Sequence, residues 1–499
     1  MYIIKIRGCL GLLHRLGVRC EMCFCESFLK YQVVGEPTSF TINCPNCNSV
    51  MRGTLVCNVD ENDRVQSIEI VDPLNLIEFI IDMNKSYDVY SFHISSEFLT
   101  RLPDKSYYQP MSSNDGKCVS TNLSPFMSYI SFFKDNSFLY DDFRFKLVKL
   151  SDFFINKLPK VNILFELFWS NRIDILSNHL QSDIHRLRRR YNNAGMYFDN
   201  NSMFFTYTAL NHQMFAYGGL LNIDSNNRIN SFVTKFKSKM FMQKSVSPLH
   251  DILEYIIDSD IDISELERKG MALIADFADL YSALFPIIPL YISNNLHNVN
   301  RSSYGITTLT FDDICDLYAR LYEYVITTIG LFNIPINNIL YRGDFDLSSK
   351  FKPTKPNERF KSSNINGQKK LDELVDSELF SINRSYMDTN IRNSISHYDY
   401  SYDGVSQVIS FTNDKNKSVN TIEMSLLDFC ELTMNLFIEV ILIINQMFWV
   451  NRQRYMEDLA SSMTYTRNDH GSLIKTNSIS RNSPCSCGSG LKYKKCCGK

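Results

Sequence analysis

Two short steps of the same kind, Cys20-Glu21-Met22-Cys23 and Cys44-Pro45-Asn46-Cys47, stand twenty residues apart near the start of the chain. No other feature constrains the fold as strongly. Four thiols at that spacing can close on one ion as a tetrahedral set, which draws two turns of backbone together. A segment of tens of residues cannot bury enough apolar surface to fold alone, whereas a four-thiolate zinc site contributes on the order of 10 kcal/mol. Between and after the two steps, Phe40-Thr41-Ile42 and the run from Val50 to Val59 alternate as short strands. Cys25 is close enough in sequence to compete for a ligand position, while Cys9 and Cys57 read as small apolar residues. A redox role for one step would need a thioredoxin-like setting, which the flanking sequence lacks.

Paired knuckles of this kind resemble a zinc ribbon. Residues 1 to 72 are therefore read as a zinc-ribbon-like module with Cys20, Cys23, Cys44 and Cys47 as structural zinc ligands. The opposite end of the chain repeats the chemistry in a shorter form: Pro484-Cys485-Ser486-Cys487-Gly488-Ser489-Gly490 is followed by Cys496-Cys497. This pattern resembles the SEC-C motif, a short zinc module found at the C-terminus of the preprotein-translocase ATPase SecA. Cys485, Cys487, Cys496 and Cys497 supply four ligands, and Gly488 and Gly490 let the chain turn tightly between the pairs. Cys497 stands where many copies carry histidine. With Lys492, Lys494, Lys495 and Lys499 around it, the motif at 481–499 implies docking on a protein surface or the ribosome. Residues 458–480, rich in Ser, Thr and Asn, read as its linker. Two structural zinc ions are expected in all, and eight of the 14 Cys fall in these clusters, as in a reducing compartment.

At 499 residues the chain has room for about three domains. A net charge of −2 means that any nucleic-acid contact must come from local basic patches and not from a global field. The first eighteen residues scatter Lys5, Arg7, His14 and Arg15 through mildly apolar sequence, unlike a secretory leader. Leu432 to Val450 is the most apolar stretch, yet Glu439 sits in its middle, so it reads as a buried helix and not a membrane span. A cytoplasmic protein with no membrane partner is expected.

Apolar residues spaced by three and four make the chain mainly α. Residues 73–260 read as a mostly helical middle region, with two features that bear on function. His185-Arg186-Leu187-Arg188-Arg189-Arg190-Tyr191 could track an RNA backbone while its ring stacks on a base, or form a solvated helix face. Arg172 and His179 form an Arg/His pair. Four helix-sized segments follow at Ser264 to Leu296, Thr310 to Phe332, Gln368 to Tyr398 and Ser425 to Leu459. The third has a stripe of Leu371, Leu374, Val375, Leu379 and Ile382. Val405 to Phe411 and Ser418 to Ile422 flank Asn413-Asp414-Lys415-Asn416 as a small hairpin. Before the third helix lies a basic connection, Lys350, Lys352, Lys355, Arg359, Lys361, Lys369 and Lys370 against Glu358. It could guide RNA or serve as a charged linker.

Within the third segment stands Ile391-Arg392-Asn393-Ser394-Ile395-Ser396-His397. Arginine is always charged and forks onto a phosphate, and histidine exchanges a proton near neutrality. The Arg-Asn-x-x-x-His pattern, its helical setting and the turn-forming Tyr398 to Gly404 after it resemble the HEPN superfamily of helical ribonucleases, over residues 264–457. The resemblance implies a C-terminal HEPN-like helical bundle with a small β-hairpin, acting as a homodimer. It also implies a metal-independent endoribonuclease in which Arg392 holds the phosphate, Asn393 orients it and His397 handles the proton. Five positions on an ideal helix are about 140 degrees apart, so Arg392 and His397 would converge best across two copies. Asn393 and His397, four apart, share a face.

The expected reaction is 2′-hydroxyl transesterification of RNA, whether tRNA, mRNA or rRNA, with no metal required for catalysis. Analogy with related ribonucleases suggests a toxin or an anti-phage abortive-infection effector. The alternative is a non-catalytic adaptor that binds RNA, ribosome or protein through its zinc modules. Nucleotidyl transfer lacks a glycine-rich phosphate loop and a carboxylate cluster.

Overall fold

A computed structural model describes residues 13–32, 36–59, 65–82, 84–108, 124–133, 141–193, 203–215, 219–224, 226–241, 248–259, 261–347, 365–374, 377, 379–380, 382–412, 421–461, 465–467, 473–475, 489, 491–492 and 495–496. The chain is mainly helical with several small sheets. It opens with two antiparallel hairpins, β1 (Leu13–Cys20) with β2 (Glu26–Gln32) and β3 (Thr38–Asn43) with β4 (Val50–Val59). Strands β5 (Val65–Leu74), β6 (Leu76–Phe79), β7 (Tyr87–Ile94), β8 (Thr100–Arg101) and β9 (Asp104–Tyr108) follow. They assemble as β6-β1-β2-β7-β9 and β3-β4-β5, antiparallel apart from the parallel pair β2 and β7. The sheet holding the first knuckle thus draws on strands from both sides of residue 72. Val18, Leu29, Phe40, Met51, Leu55 and Phe92 fill the space between the two sheets.

Helices take over from residue 125. Their order is α1 (Pro125–Ile130), α2 (Asp141–Asp152), α3 (Leu158–Trp169), α4 (Ile173–His179), α5 (Gln181–Asn193), α6 (Met203–Met214), α7 (Arg228–Phe241), α8 (Pro248–Asp258), α9 (Ile263–Leu284) and α10 (Ile288–Ile292). The short strand β10 (Tyr304–Gly305) precedes α11 (Phe311–Thr328), which runs through a wider turn into α12 (Ile334–Arg342). After α13 (Gly367–Glu373) and α14 (Thr389–His397) come β11 (Tyr400–Asp403), β12 (Val408–Thr412) and β13 (Thr421–Ser425), which form one antiparallel sheet. The long α15 (Leu426–Ser461) follows.

Helix α15 is the axis of this body. Between Leu432 and Val450 every residue but Trp449 is buried, so helices must surround it on all sides. Phe277 of α9 stacks on Phe437 with ring centroids 3.9 Å apart, and Tyr318 of α11 packs on Phe429 at 5.2 Å. A Cβ on Gly270 would lie 2.6 Å from Ile444 and 2.7 Å from the Tyr324 hydroxyl, so the glycine lets three helices meet. The middle helices join the same core, since Phe165 of α3 and Tyr207 of α6 both pack on Phe448. Glu439 is inside the helix cluster, ion-paired with Arg228 of α7. Among the described residues no helix is long and apolar enough to cross a membrane.

Three expected elements differ in detail. The segment from Ser264 breaks at Leu284, two residues before Pro286, whose ring restricts the residue before it and removes a donor. The stripe from Gln368 to Tyr398 is not one helix: α13 and α14 are separated by a short 3-10 turn, Arg384–Tyr386. Side chains there take the backbone donors that a helix would use. The Ser377 hydroxyl accepts from Leu379 and Phe380, Asn383 accepts from Ser385, and Asp388 accepts from Asn390 and Ile391. Beyond α14, the stretch expected as turn contributes β11, so the hairpin is a three-stranded sheet. The basic residues from Lys350 to Lys361, the turn Asn413 to Asn416 and most of the 458–480 linker lie outside the described residues.

Candidate active site and metal centre

Asp388 starts α14 by capping it, and buried Ile391, Ser394 and Ile395 seat it on the body. The face left over presents the motif residues. Arg392 and Asn393 are half-buried, and His397 is exposed at the last turn. The helix closes on Tyr398, left-handed at φ 58 and largely exposed, whose amide bonds to Ile395 O, while the Asp399 amide bonds to Ser394 O.

Arg392 is held from three sides. Its Nε lies 2.7 Å from Oε1 of Glu323 on α11, its terminal nitrogen donates to Asn393 Oδ1 at 2.9 Å, and its guanidinium sits 5.6 Å over the Tyr322 ring. Tyr322 is fixed in turn by a 2.9 Å bond to the Thr389 hydroxyl. A phosphate reaching this arginine therefore meets an oriented donor group whose charge is shared with a half-exposed carboxylate. Glu323 could not be found from the motif, because its contact spans two helices. Among the described residues no hydrogen bond or ion pair joins Arg392 to His397, in keeping with their separation around the helix.

The other Arg/His pair is less organised. Arg172 and His179 are both exposed at opposite ends of α4, with Arg172 3.9 Å from Asp174. The basic run lies on α5, where Ile184 and Leu187 are buried and Arg186, Arg189 and Arg190 are exposed. Tyr191 turns inward and packs edge-on against Phe204 and Phe205, so it is not a free stacking ring.

The thiols of Cys20, Cys23, Cys44 and Cys47 lie within 4.8 Å of one another. Cys20 and Cys47 are 3.7 Å apart and Cys23 and Cys44 3.4 Å, near the ~3.8 Å edge of a tetrahedron with zinc–sulfur bonds of about 2.3 Å. The two knuckles have one backbone: Phe24 N bonds to Cys20 O and Asn48 N to Cys44 O, with Phe24 and Asn48 both left-handed. Asn75 stitches them together, taking the Glu21 amide on its carbonyl and donating its side chain to Val50 O. The Ser49 hydroxyl lies 3.3 Å from Cys20 Sγ and 3.1 Å from Cys47 Sγ. Hydrogen bonds from its side chain and backbone push the Cys47 thiol down to about 6, toward the thiolate that binds a metal, whereas burial raises Cys44. Cys25 stays outside the set, its thiol directed to the Glu26 carbonyl. The donor set, all soft thiolates in tetrahedral spacing, fits zinc.

Of the C-terminal thiols, Cys496 is described and lies 3.7 Å from His185 Nε2 on α5; Cys485, Cys487 and Cys497 lie outside the described residues. The SEC-C motif model matches residues 481–499. Over 61 residues the chain is 39% identical to the protein translocase subunit SecA of Caldicellulosiruptor saccharolyticus, a stretch covering 12% of this chain and 7% of that protein. No solved structure matches the chain. Its C-terminus is a SEC-C motif, and the motif's four cysteines suit zinc as the N-terminal set does.

Proposed function

We propose that the chain is a metal-independent endoribonuclease of the HEPN type, working as a cytoplasmic homodimer through Arg392, Asn393 and His397. The observation that carries this reading is the build of α14: a capped helix that holds an oriented guanidinium and leaves a histidine exposed one turn away. In the reaction the ribose 2′-oxygen bonds to phosphorus as its proton passes to one His397, and the bond from phosphorus to the 5′-oxygen breaks as that oxygen takes a proton from a second His397. Arg392 stabilises the charge on the phosphoryl oxygens, and Asn393 orients that arginine. Products are a 2′,3′-cyclic phosphate and a 5′-hydroxyl. Both metal centres, the zinc-ribbon-like one and the SEC-C motif, are structural in this reading and bind zinc. The SEC-C motif adds a docking point for a protein or the ribosome, and the consequence in the cell is halted translation, as for a toxin or an abortive-infection effector.

A second reading is favoured by Glu323. A carboxylate 2.7 Å from Arg392 competes with a phosphate for that side chain, so the helices would serve as a scaffold in an adaptor that binds RNA or protein through its zinc modules. The deciding experiment incubates zinc-loaded protein with total RNA in buffer without added divalent ions, wild type beside His397→Ala. Cyclic-phosphate ends made by the wild type alone support the ribonuclease. Equal cleavage by both removes the site from α14 and makes Arg172 and His179 the next pair to substitute, and cleavage by neither moves the assignment to the adaptor.

A further inference from the structure

Three helices, α5, α7 and α15, bring cations together beside one tryptophan. Lys237 of α7 and Arg452 of α15 lie 4.1 Å and 3.9 Å from the Trp449 ring centroid. Arg452 also sits 5.6 Å over Phe204 of α6, the ring against which Tyr191 of α5 packs. On α5 itself Arg186, Arg189 and Arg190 are exposed. Asp183 is the carboxylate nearby, and Arg186 and Gln213 already engage it. No salt bridge among the described residues ties Arg190, Lys237 or Arg452 to a carboxylate, and the Arg452 Nε is buried without an acceptor. These charges sense one another: after burial, Arg452 and then Arg190 hold the Lys237 amine below its usual range.

Such an arrangement is costly unless an anion relieves it. Like charges at this range repel, and an unpaired guanidinium loses hydration without a partner. The chain has 54 acidic residues against 52 basic ones, so carboxylates are plentiful, yet among the described residues none is ion-paired with Arg190, Lys237 or Arg452. Rings under Lys237 and Arg452 hold the cations in position by cation–π contact without neutralising them. The SEC-C motif reaches the same helix through Cys496 beside His185, which brings the exposed Lys492 and Lys495 to the neighbourhood of α5.

We propose that the surface formed by Arg186, Arg190, Lys237 and Arg452 binds the phosphodiester backbone of RNA as a site separate from the α14 residues. The choice of RNA over other polyanions rests on the function proposed above; the site itself does not depend on cleavage. Phosphates bridging α5, α7 and α15 would receive forked guanidinium bonds and a lysine point charge, with no base read.

The test is fluorescence anisotropy of a labelled RNA of about 20 nucleotides with full-length, zinc-loaded protein carrying His397→Ala, so that the probe stays intact. Adding Arg190→Gln and Lys237→Gln, both at exposed positions, is expected to weaken binding at least about ten-fold and to lower the slope of log affinity against log salt by about 1.4, two single-strand phosphate contacts. Adding Lys269→Gln, on exposed α9 surface, should change neither. Each single substitution, with a slope change of about 0.7, serves if thermal melting shows the pair unfolded. Unchanged affinity and slope, equal losses with Lys269→Gln, or no binding by the parent would overturn the site. RNA held through these residues while the wild type makes no cuts would leave the site standing and remove the ribonuclease. Cuts that depend on His397, with binding indifferent to the patch, would do the reverse.

Discussion

The sheets of residues 13–108 and the helices around α15 reach stability by different routes. Among the described residues the largest cluster in the knuckle sheets holds twelve buried apolar residues, and two of those, Cys20 and Cys44, belong to the thiol set itself. The helices share one continuous core from Phe98 to Val450, with aromatic rings stacked through its middle. In the first region thiols suited to hold a metal are part of the core; in the second, the described core is built from apolar and aromatic packing.

Removing metal should break that likeness most sharply. A thiol-competent chelator, or Cys44→Ser, withdraws on the order of 10 kcal/mol from the knuckle sheets. Proteases should then cut within residues 13–59 while helical circular dichroism persists. Loss of both signals together would mean that the regions fold as one unit.

Acid and base should separate the regions next. His93, buried between the sheet and the β11–β12 turn, is pushed down to about 4 by burial, with Lys30, Arg101 and Arg15 adding to the effect. Its unfolded form takes up a proton first, so stability is full above about pH 6.5 and falls by about 3 kcal/mol as pH drops toward 4. Glu267, fully buried on α9 and accepting a hydrogen bond from Tyr207, is pushed up to about 7 by burial. Here the folded state binds the extra proton, so the contribution is present below about pH 4.5 and is lost as pH rises to 7, again about 3 kcal/mol. The two tryptophans, Trp169 and Trp449, both lie in the helices, so their fluorescence in urea reads that region alone. Glu267→Gln should flatten its pH dependence between 4.5 and 7, and His93→Gln should leave it unchanged. The smallest effect is expected at α14, where Asp388→Ala removes a cap worth about 1 kcal/mol. Faster amide exchange at Asn390 and Ile391, with the rest of the helices unaltered, would show it.

What the sequence disclosed follows the range of the interactions. The Cys-x-x-Cys steps were legible because their partners lie within one turn, and α11 and α15 because apolar periodicity runs their whole length. The gap between α13 and α14 was hidden: Leu371, Leu374 and Leu379 keep a helical spacing while Ser377, Asn383 and Asp388 claim the backbone amides. The residues of α14 were visible as a local pattern, but Glu323 was not, since nothing near position 323 marks it as the partner of Arg392. The cations around Trp449 come from segments more than two hundred residues apart, and only the α5 run stood out before folding placed it.

The second knuckle touches the sheet that follows α14: Asn48 donates to Tyr402 O across 354 residues. During synthesis that partner emerges late. At 5–20 residues per second the ribosome needs about 20–70 s to pass from one residue to the other. The second knuckle therefore waits about 20–70 s for that contact, and any chaperone or premature contact that acts on the nascent chain has that interval in which to act.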